Sequence, residues 1–212
     1  MGDSKISLGQ QESGFECREI RELPEYDASA SWWVHGATGC ELVHLHCSDP
    51  ENMCAFAFPT APTDSTGVAH ILEHTVLCGS ERFPLKDPFL RMLQGSVYTF
   101  LNAFTFPDKT VYPLASVVEK DYFNLMKVYG DAVFFPLLEP AMFRQEGHRL
   151  VLDDNGKLGI SGVVYNEMLG AFSSQEQIES RLCLNGLFPD TPYGFESGGD
   201  PQDIPKLTYD EF

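Results

Sequence analysis

The 212-residue sequence predicts an α+β fold, in which a mostly antiparallel sheet of five or six strands has helices packed on one face. Two patterns predict this class. Segments of β-forming residues separated by short turns come early in the chain, and apolar residues with helical spacing come later. Hydrophobic residues make up 43% of the chain and charged residues 21%, so there is enough apolar surface to form a core.

The amino-terminal segment is predicted to lie outside this core. Residues 1–30 are polar with little periodicity, so we interpret them as an N-terminal extension and assign residues 31–212 to the folded domain. Three β-forming segments then follow, at residues 32–36, 41–47 and 53–58.

The remaining elements are predicted from caps, turns and apolar stripes. A hydroxyl or carboxylate N-cap at residues 64–66 and a terminating Gly79 predict a helix of about three turns over the segment GVAHILEHTVLC. Further along we expect a short helix at 87–93, a hairpin of strands at 99–106 and 110–115, helices at 117–133 and 140–150, a turn at 153–156 and a long helix at 162–185. Thr208 and Glu211 fit a capping box, which marks the start of another helix, so we expect this polypeptide to be part of a longer one.

Charge and cysteine content limit the classes of partner and compartment. The chain has 31 acidic and 14 basic residues, a formal net charge of −17, and lacks the excess of basic groups that binding to nucleic acid or anionic lipid requires. Cationic partners are favoured instead. No apolar run reaches the roughly 18 residues of a membrane span. Six cysteines without a C-x-x-C pair, and no secretory or transit signal, favour the cytoplasm.

The segment with the clearest chemical meaning is His70-Ile71-Leu72-Glu73-His74, an H-x-x-E-H sequence. On a helix, residues four apart project from nearly the same side, so His70 and His74 can hold one Zn²⁺ while Glu73 reaches a water beside it. The alternative is a solvated helix face with no metal.

A catalytic zinc site needs a third protein ligand. Glu167 is the best candidate because it interrupts the apolar segment GVVYNEMLGAF, where a bare carboxylate would be costly to bury. Cys78, one turn beyond His74, is a weaker alternative because Gly79 ends the helix there. His44 and His46 share one face of a strand, but an exposed polar face without metal is the simpler interpretation.

Six segments, in this order, resemble the insulinase/pitrilysin zinc metallopeptidases (inverzincins), and most of all their presequence-protease branch. They are HILEHTVLCGS at 70–80, PLKDPF at 84–89, LNAFT at 101–105, QEGHRL at 145–150, GVVYNEMLGAF at 162–172 and SGGDP at 197–201. The resemblance extends from about residue 14 to residue 212.

The resemblance implies a role for each matching residue. His70 and His74 match the zinc histidines of the family, Glu167 its third ligand and Glu73 its general base. Zinc would lower the pKa of its water and polarise the scissile carbonyl, while Glu73 would take a proton and deliver it to the leaving amine.

The family also implies how a peptide substrate is held. Asn102, Ala103 and Phe104 match the edge strand on which these enzymes lay an extended peptide by strand addition. The acid excess of the chain would favour basic peptides such as presequences.

Two further residues near these motifs keep open roles. Glu146 either orients a zinc histidine or lies on a solvated helix face. His148 stands where relatives have an aromatic residue, and we interpret it as a packing residue or a support for the site. Pitrilysins have an additional acid about two turns before the third ligand, where this sequence has Ile160, so that acid is left unassigned.

Family members pair such units into two halves that enclose a chamber, and the opposite half supplies tyrosine and arginine. We therefore expect residues 31–212 to be an incomplete N-terminal catalytic domain, needing the C-terminal half of a longer enzyme and nearly inactive alone. Because relatives work in mitochondria and plastids, the mitochondrial matrix or another organelle is the alternative compartment. The rival function is a non-catalytic scaffold or processing-partner subunit, but those proteins lose part of the metal motif.

Overall fold

The computed structural model describes residues 6–85 and 88–212, which fall into two compact units that divide between Pro50 and Glu51. The α+β class with antiparallel pairing is confirmed, but the strands are divided among three sheets rather than gathered in one of five or six. Among the helices of residues 6–85 and 88–212, none has the length and apolar character of a membrane-spanning segment.

The first unit is a four-stranded antiparallel sheet with strand order β1-β2-β3-β4. Its strands are β1 (Gln11–Glu12), β2 (Phe15–Leu23), β3 (Ala28–His35) and β4 (Glu41–Cys47). A tight turn at Ser13 and Gly14, both with positive φ, joins the first two strands.

Strands β1 and β2 lie within residues 1–30, the segment interpreted from the sequence as an N-terminal extension, where no strand was predicted. In β2 only Cys17 is buried, and four of the other eight residues are charged and exposed. A strand that is polar on both faces gives no alternating signal, so its pairing with β3 could not be predicted from periodicity. The assignment of residues 31–212 to an incomplete catalytic domain stays a prediction.

The second unit contains the other six strands and the six α-helices found among the described residues. In chain order they are β5 (Asn52–Pro59), α1 (Val68–Val76), α2 (Pro88–Gly95), β6 (Phe100–Leu101), β7 (Phe104–Thr105), β8 (Lys109–Ser116), α3 (Glu119–Phe134), α4 (Pro140–Glu146), β9 (Arg149–Leu152), β10 (Leu158–Ser161), α5 (Val163–Ala171) and α6 (Gln175–Leu187). The helix expected at 87–93 is α2, and residue 87 lies outside the described residues.

The central strand of this unit is β8, which pairs with β5 on one side and with β6 and β7 on the other. The expected single strand at 99–106 is broken at Asn102 and Ala103, opposite Pro113. The amide of Asn102 donates to the carbonyl oxygen of Pro113 (3.3 Å), but proline has no N–H to return the bond. The hydroxyl of Tyr129 donates to the orphaned carbonyl oxygen of Asn102 instead, at 3.3 Å.

Helix α1 contributes side chains to two separate apolar clusters. Val76 packs with Leu114 of β8 and Tyr129 of α3, which places α1 and α3 on the same face of the sheet. Ile71 packs in the second cluster with Val164 and Met168 of α5. The H-x-x-E-H helix thus packs against the helix that carries Glu167.

Two predicted helices are shorter than expected. The helix expected at 140–150 ends at Glu146 and is followed by a β9–β10 hairpin around the expected turn, where Gly156 has φ +75°. The helix expected at 162–185 is two helices, because the hydroxyl of Ser173 donates to the carbonyl oxygen of Gly170 (2.6 Å) and Ser174 occupies the N-cap position of α6.

At the carboxyl-terminal segment the carboxylate half of the expected capping box is present. Glu211 accepts from the backbone amide of Thr208 at 3.0 Å and from its hydroxyl at 2.7 Å.

Candidate metal centre

Helix α1 begins where its backbone can approach another segment closely. Gly67, with φ +72°, occupies the N-cap position, and a Cβ there would lie 2.8 Å from the carbonyl oxygen of Gly198. Only glycine meets both conditions, the left-handed conformation and the absence of a side chain. This close approach brings the segment around Gly198 alongside the first turn of the helix.

His70, His74 and Glu167 form the one group of possible metal ligands found among residues 6–85 and 88–212, with their ligand atoms within 4.8 Å of one another. The Nε2 atoms of His70 and His74 each lie 3.7 Å from a different carboxylate oxygen of Glu167. Bonds of about 2.1 Å at tetrahedral angles would separate ligand atoms by about 3.4 Å. The three predicted ligands therefore fit a zinc ion with little movement.

Hydrogen bonds on the opposite ring nitrogens orient both imidazoles. Nδ1 of His70 donates to the carbonyl oxygen of Gly198 at 2.9 Å, and Nδ1 of His74 donates to Oε2 of Glu146 at 3.3 Å. Both acceptors hold the proton on Nδ1, so each Nε2 presents its lone pair toward Glu167. This is the tautomer that a metal at Nε2 requires.

The charges around His74 favour a cation. Burial alone would lower its pKa, but the hydrogen bond to Glu146 and the charges of Glu73, Glu146 and Glu167 outweigh that effect and raise the pKa. Burial would likewise raise the pKa of Glu146, but its hydrogen bonds to His74 and Gln145 lower it. Three carboxylates around two imidazoles form a donor set whose negative charge a divalent cation would neutralise.

Glu73 lies beside this group without belonging to it. Its side chain is on the same helix and only 7% exposed, and its Oε2 accepts a hydrogen bond from the Thr105 hydroxyl at 2.5 Å. Tyr112 and Tyr129 lie close enough for the charge of Glu73 to add to the effect of burial, and both phenol pKa values are raised.

The three residues predicted to bind substrate lie at the β6–β7 end of the sheet. Asn102 and Ala103 occupy the break between the two strands, and Phe104 begins β7. The Phe104 ring lies between those of Phe100 and Phe106, with centroid distances of 6.3 and 6.0 Å, and all three side chains are about two-fifths exposed. Because Thr105 follows Phe104 directly, the hydrogen bond from Thr105 to Glu73 links the predicted substrate-binding segment to that glutamate.

The other metal-binding alternatives do not assemble. Cys78 is buried with its Sγ 3.5 Å from the carbonyl oxygen of His74, outside the ligand group. His44 and His46 lie on the exposed β4 with ring centroids 6.2 Å apart, and among the described residues no third ligand completes a group with them. His148 donates from Nε2 to the carbonyl oxygen of Leu207 at 2.8 Å, a structural bond.

The exposure of Glu167 differs from the expectation that its carboxylate is buried in an apolar segment. The side chain is 54% exposed and faces the two histidines. Conversely, Glu146 is buried, which excludes the solvated-face alternative. Thr105 and Gly198 were not considered as site residues, although each lies within a recognised motif, LNAFT and SGGDP.

Comparison with known proteins gives the same family as the motifs. Residues 60–154 match the family model described as Insulinase (Peptidase family M16). The chain is 46% identical over 211 residues to Presequence protease 1, chloroplastic/mitochondrial, of Arabidopsis thaliana, covering 97% of this chain and 20% of that protein. It is also 46% identical over 211 residues to Presequence protease, mitochondrial, of Drosophila melanogaster, covering 98% and 20%.

A solved structure supports the fold. The chain matches a crystal structure of pitrilysin with a TM-score of 0.65 and 21% sequence identity, over 93% of this chain and 20% of that one. The chain thus spans about one fifth of the length of the curated relatives that it matches. Taken together, the ordered motifs, the family model and these relatives establish that the chain belongs to the insulinase family (peptidase family M16), in its presequence-protease branch.

Proposed function

We propose that this chain carries the zinc site and general base of a zinc-dependent endopeptidase that degrades unfolded, presequence-like peptides, and that it acts as the N-terminal catalytic part of a longer enzyme. The observation that carries the proposal is the convergence of two Nε2 atoms and one carboxylate at tetrahedral spacing, next to a buried glutamate that is not a ligand. That arrangement leaves the fourth position free, as in catalytic zinc sites.

His70, His74 and Glu167 would hold the metal. When bound there, Zn²⁺ supplies Lewis-acid chemistry that lowers the pKa of water and polarises a carbonyl. Glu73 accepts the proton from the attacking water and returns it to the leaving amine. Glu146 and Gly198 hold the imidazole protons on Nδ1, so that both rings stay oriented through the cycle.

Peptides would bind along Asn102, Ala103 and Phe104 by strand addition, with affinity that depends mainly on backbone hydrogen bonds. The net charge of −17 favours basic peptides, and the names of the relatives point to presequences. Those names also favour an organelle over the cytoplasm.

A non-catalytic scaffold subunit is the less favoured function, because His70, Glu73, His74 and Glu167 are all present and the two histidines converge with Glu167. Residues from the C-terminal half would stabilise the tetrahedral intermediate, so the 212-residue chain should bind zinc yet cleave peptides poorly. Robust hydrolysis by the purified chain would contradict this division of roles.

The decisive experiment measures zinc stoichiometry and affinity of the chain with and without Glu167→Ala. We expect the parent to bind one zinc and the variant to bind it much more weakly. Glu176→Ala, which removes the same charge from an exposed position of α6, is the matched control and should leave affinity unchanged. Equal affinity in all three proteins would eliminate the site.

A second experiment separates metal binding from proton transfer. In the longer enzyme, Glu73→Gln should keep the zinc of the parent and lose turnover, by about 10²- to 10⁴-fold. Turnover at the parent rate would show that Glu73 is not the base.

A further inference from the structure

Glu73 is held by a side chain from a different element of the fold. The hydroxyl of Thr105, on β7, donates to Oε2 of Glu73 at 2.5 Å, although the two residues are 32 positions apart in sequence. Among the described residues this is the one side-chain hydrogen bond that the Glu73 carboxylate makes. Since a buried carboxylate needs donors, this bond contributes strongly to the orientation of the group.

We infer that Thr105 is the positioning residue of the general base: its hydroxyl fixes the Glu73 carboxylate through Oε2 and leaves Oε1 for proton transfer. This inference rests on the proposed function, because it assigns Thr105 a role in that same reaction. Thr105 does not act on substrate itself but through Glu73.

The backbone around Thr105 is well fixed, so its hydroxyl is preorganised. Thr105 pairs with Thr110 of β8, whose side chain is 2% exposed and whose hydroxyl shares a hydrogen bond with that of Thr60 at 2.8 Å. The amide of Phe106 donates to the carbonyl oxygen of Lys109 at 2.8 Å and closes the hairpin. A β-branched side chain on such a strand has few rotamers available.

The hydroxyl of Tyr129 does not replace that of Thr105. The phenol of Tyr129 approaches Glu73 closely enough to feel its charge, but its proton is donated to the carbonyl oxygen of Asn102. Loss of the Thr105 hydroxyl would remove the one side-chain hydrogen bond described for the Glu73 carboxylate, and proton transfer depends steeply on the orientation of the base.

The position of Thr105 also links the base to the substrate edge. Phe104, the neighbouring residue, belongs to the segment proposed to pair with a peptide. A peptide paired there and the carboxylate held by Thr105 would both be positioned by the same strand, β7. The expected effect of losing the hydroxyl is consequently on kcat, with peptide binding retained.

The test compares Thr105→Val, which keeps the shape and removes the hydroxyl, with Thr105→Ser, which keeps the hydroxyl. In the longer enzyme, with an internally quenched Arg-rich peptide as substrate, Thr105→Val should lower kcat by about 10- to 100-fold, the rate equivalent of one hydrogen bond to a charged group. KM should stay within threefold, and Thr105→Ser should keep kcat within threefold of the parent. Thr63→Val, at an exposed position in the loop before α1, is the control for replacing a threonine hydroxyl by a methyl group, and it should leave kcat unchanged.

Zinc affinity and unfolding of the 212-residue chain give readouts that do not depend on turnover. Thr105→Val should bind zinc as the parent does, and in urea its destabilisation should be non-additive with that of Glu73→Gln, because the first change removes the Thr105–Glu73 hydrogen bond and the second removes the charge that strengthens it. If Thr105→Val does not fold, Thr105→Ala against Thr105→Ser makes the same comparison.

The outcomes separate the inference from the proposed function. A parent that binds no zinc and cleaves nothing overturns the proposed function, while non-additive unfolding would still show the Thr105–Glu73 bond. An active parent whose Thr105→Val variant keeps its kcat within twofold, or changes only in KM, overturns the positioning role.

Discussion

Replacing Glu146 tests whether the acid behind His74 contributes to metal binding. The two side chains are 9% and 23% exposed and their atoms lie 3.3 Å apart, so solvent screens the interaction only partly. Glu146→Gln keeps an acceptor but removes the charge. A hydrogen bond to a charged group exceeds a neutral one by about 1–1.5 kcal/mol, which corresponds to roughly 5- to 13-fold weaker zinc binding.

Glu146→Leu removes the acceptor as well, and we expect about 10- to 100-fold weaker binding, the usual cost of losing a partner of a metal-bound histidine. Competition titration of the chain against a zinc chelator measures both affinities. Glu139→Gln, which neutralises an exposed acid at the N-cap of the same helix, is the control. If the leucine variant weakens zinc binding no more than this control, Glu146 does not support His74.

Three further predictions concern the supports of the site. Zinc binding requires two neutral imidazoles, and the pKa of His74 is raised. As the pH is lowered, zinc affinity should therefore begin to fall at a higher pH than it would if His74 had the ordinary histidine pKa of about 6.5. A series of zinc titrations in which affinity declines only below about pH 6.5 would contradict this. Tyr129→Phe should lower the free energy of unfolding by about 1 kcal/mol, because the carbonyl oxygen of Asn102 loses its donor; urea denaturation measures the loss, and an unchanged stability would contradict it. Gly67→Ala should destabilise the chain by about 1–3 kcal/mol and weaken zinc binding, because the new Cβ would displace the Gly198 carbonyl that orients His70; thermal unfolding and zinc titration would both have to match the parent to refute this.

The candidate metal site was the most predictable part of the molecule. His70 and His74 had to share a helix face once the segment was helical, because that relation depends only on helix geometry. Glu167, 93 positions after His74, could be identified by resemblance but its exposure could not, since exposure depends on the packing of α1 against α5. Glu146, the acid beside His74, lies at the end of α4. The pitrilysin pattern instead has its additional acid at the place of residue 160, which lies in β10.

The errors in the fold have a common physical origin in interactions between distant segments. The polar strand β2 is held by pairing with β3, and the short β9 and β10 by pairing with each other. Pro113 was visible in the predicted strand, but its effect falls on Asn102 in the neighbouring strand. Local propensity and periodicity report none of these partners.

The break opposite Pro113 also has a consequence for solubility. An edge with three exposed phenylalanines would be a template for uncontrolled association if it were one long strand. Pro113 divides it into β6 and β7, each two residues long. Edge strands this short do not support extended ladders between copies of the chain, whereas a short peptide segment needs only a few backbone bonds. The same proline that interrupts the sheet thus protects the protein from aggregation while its edge stays open.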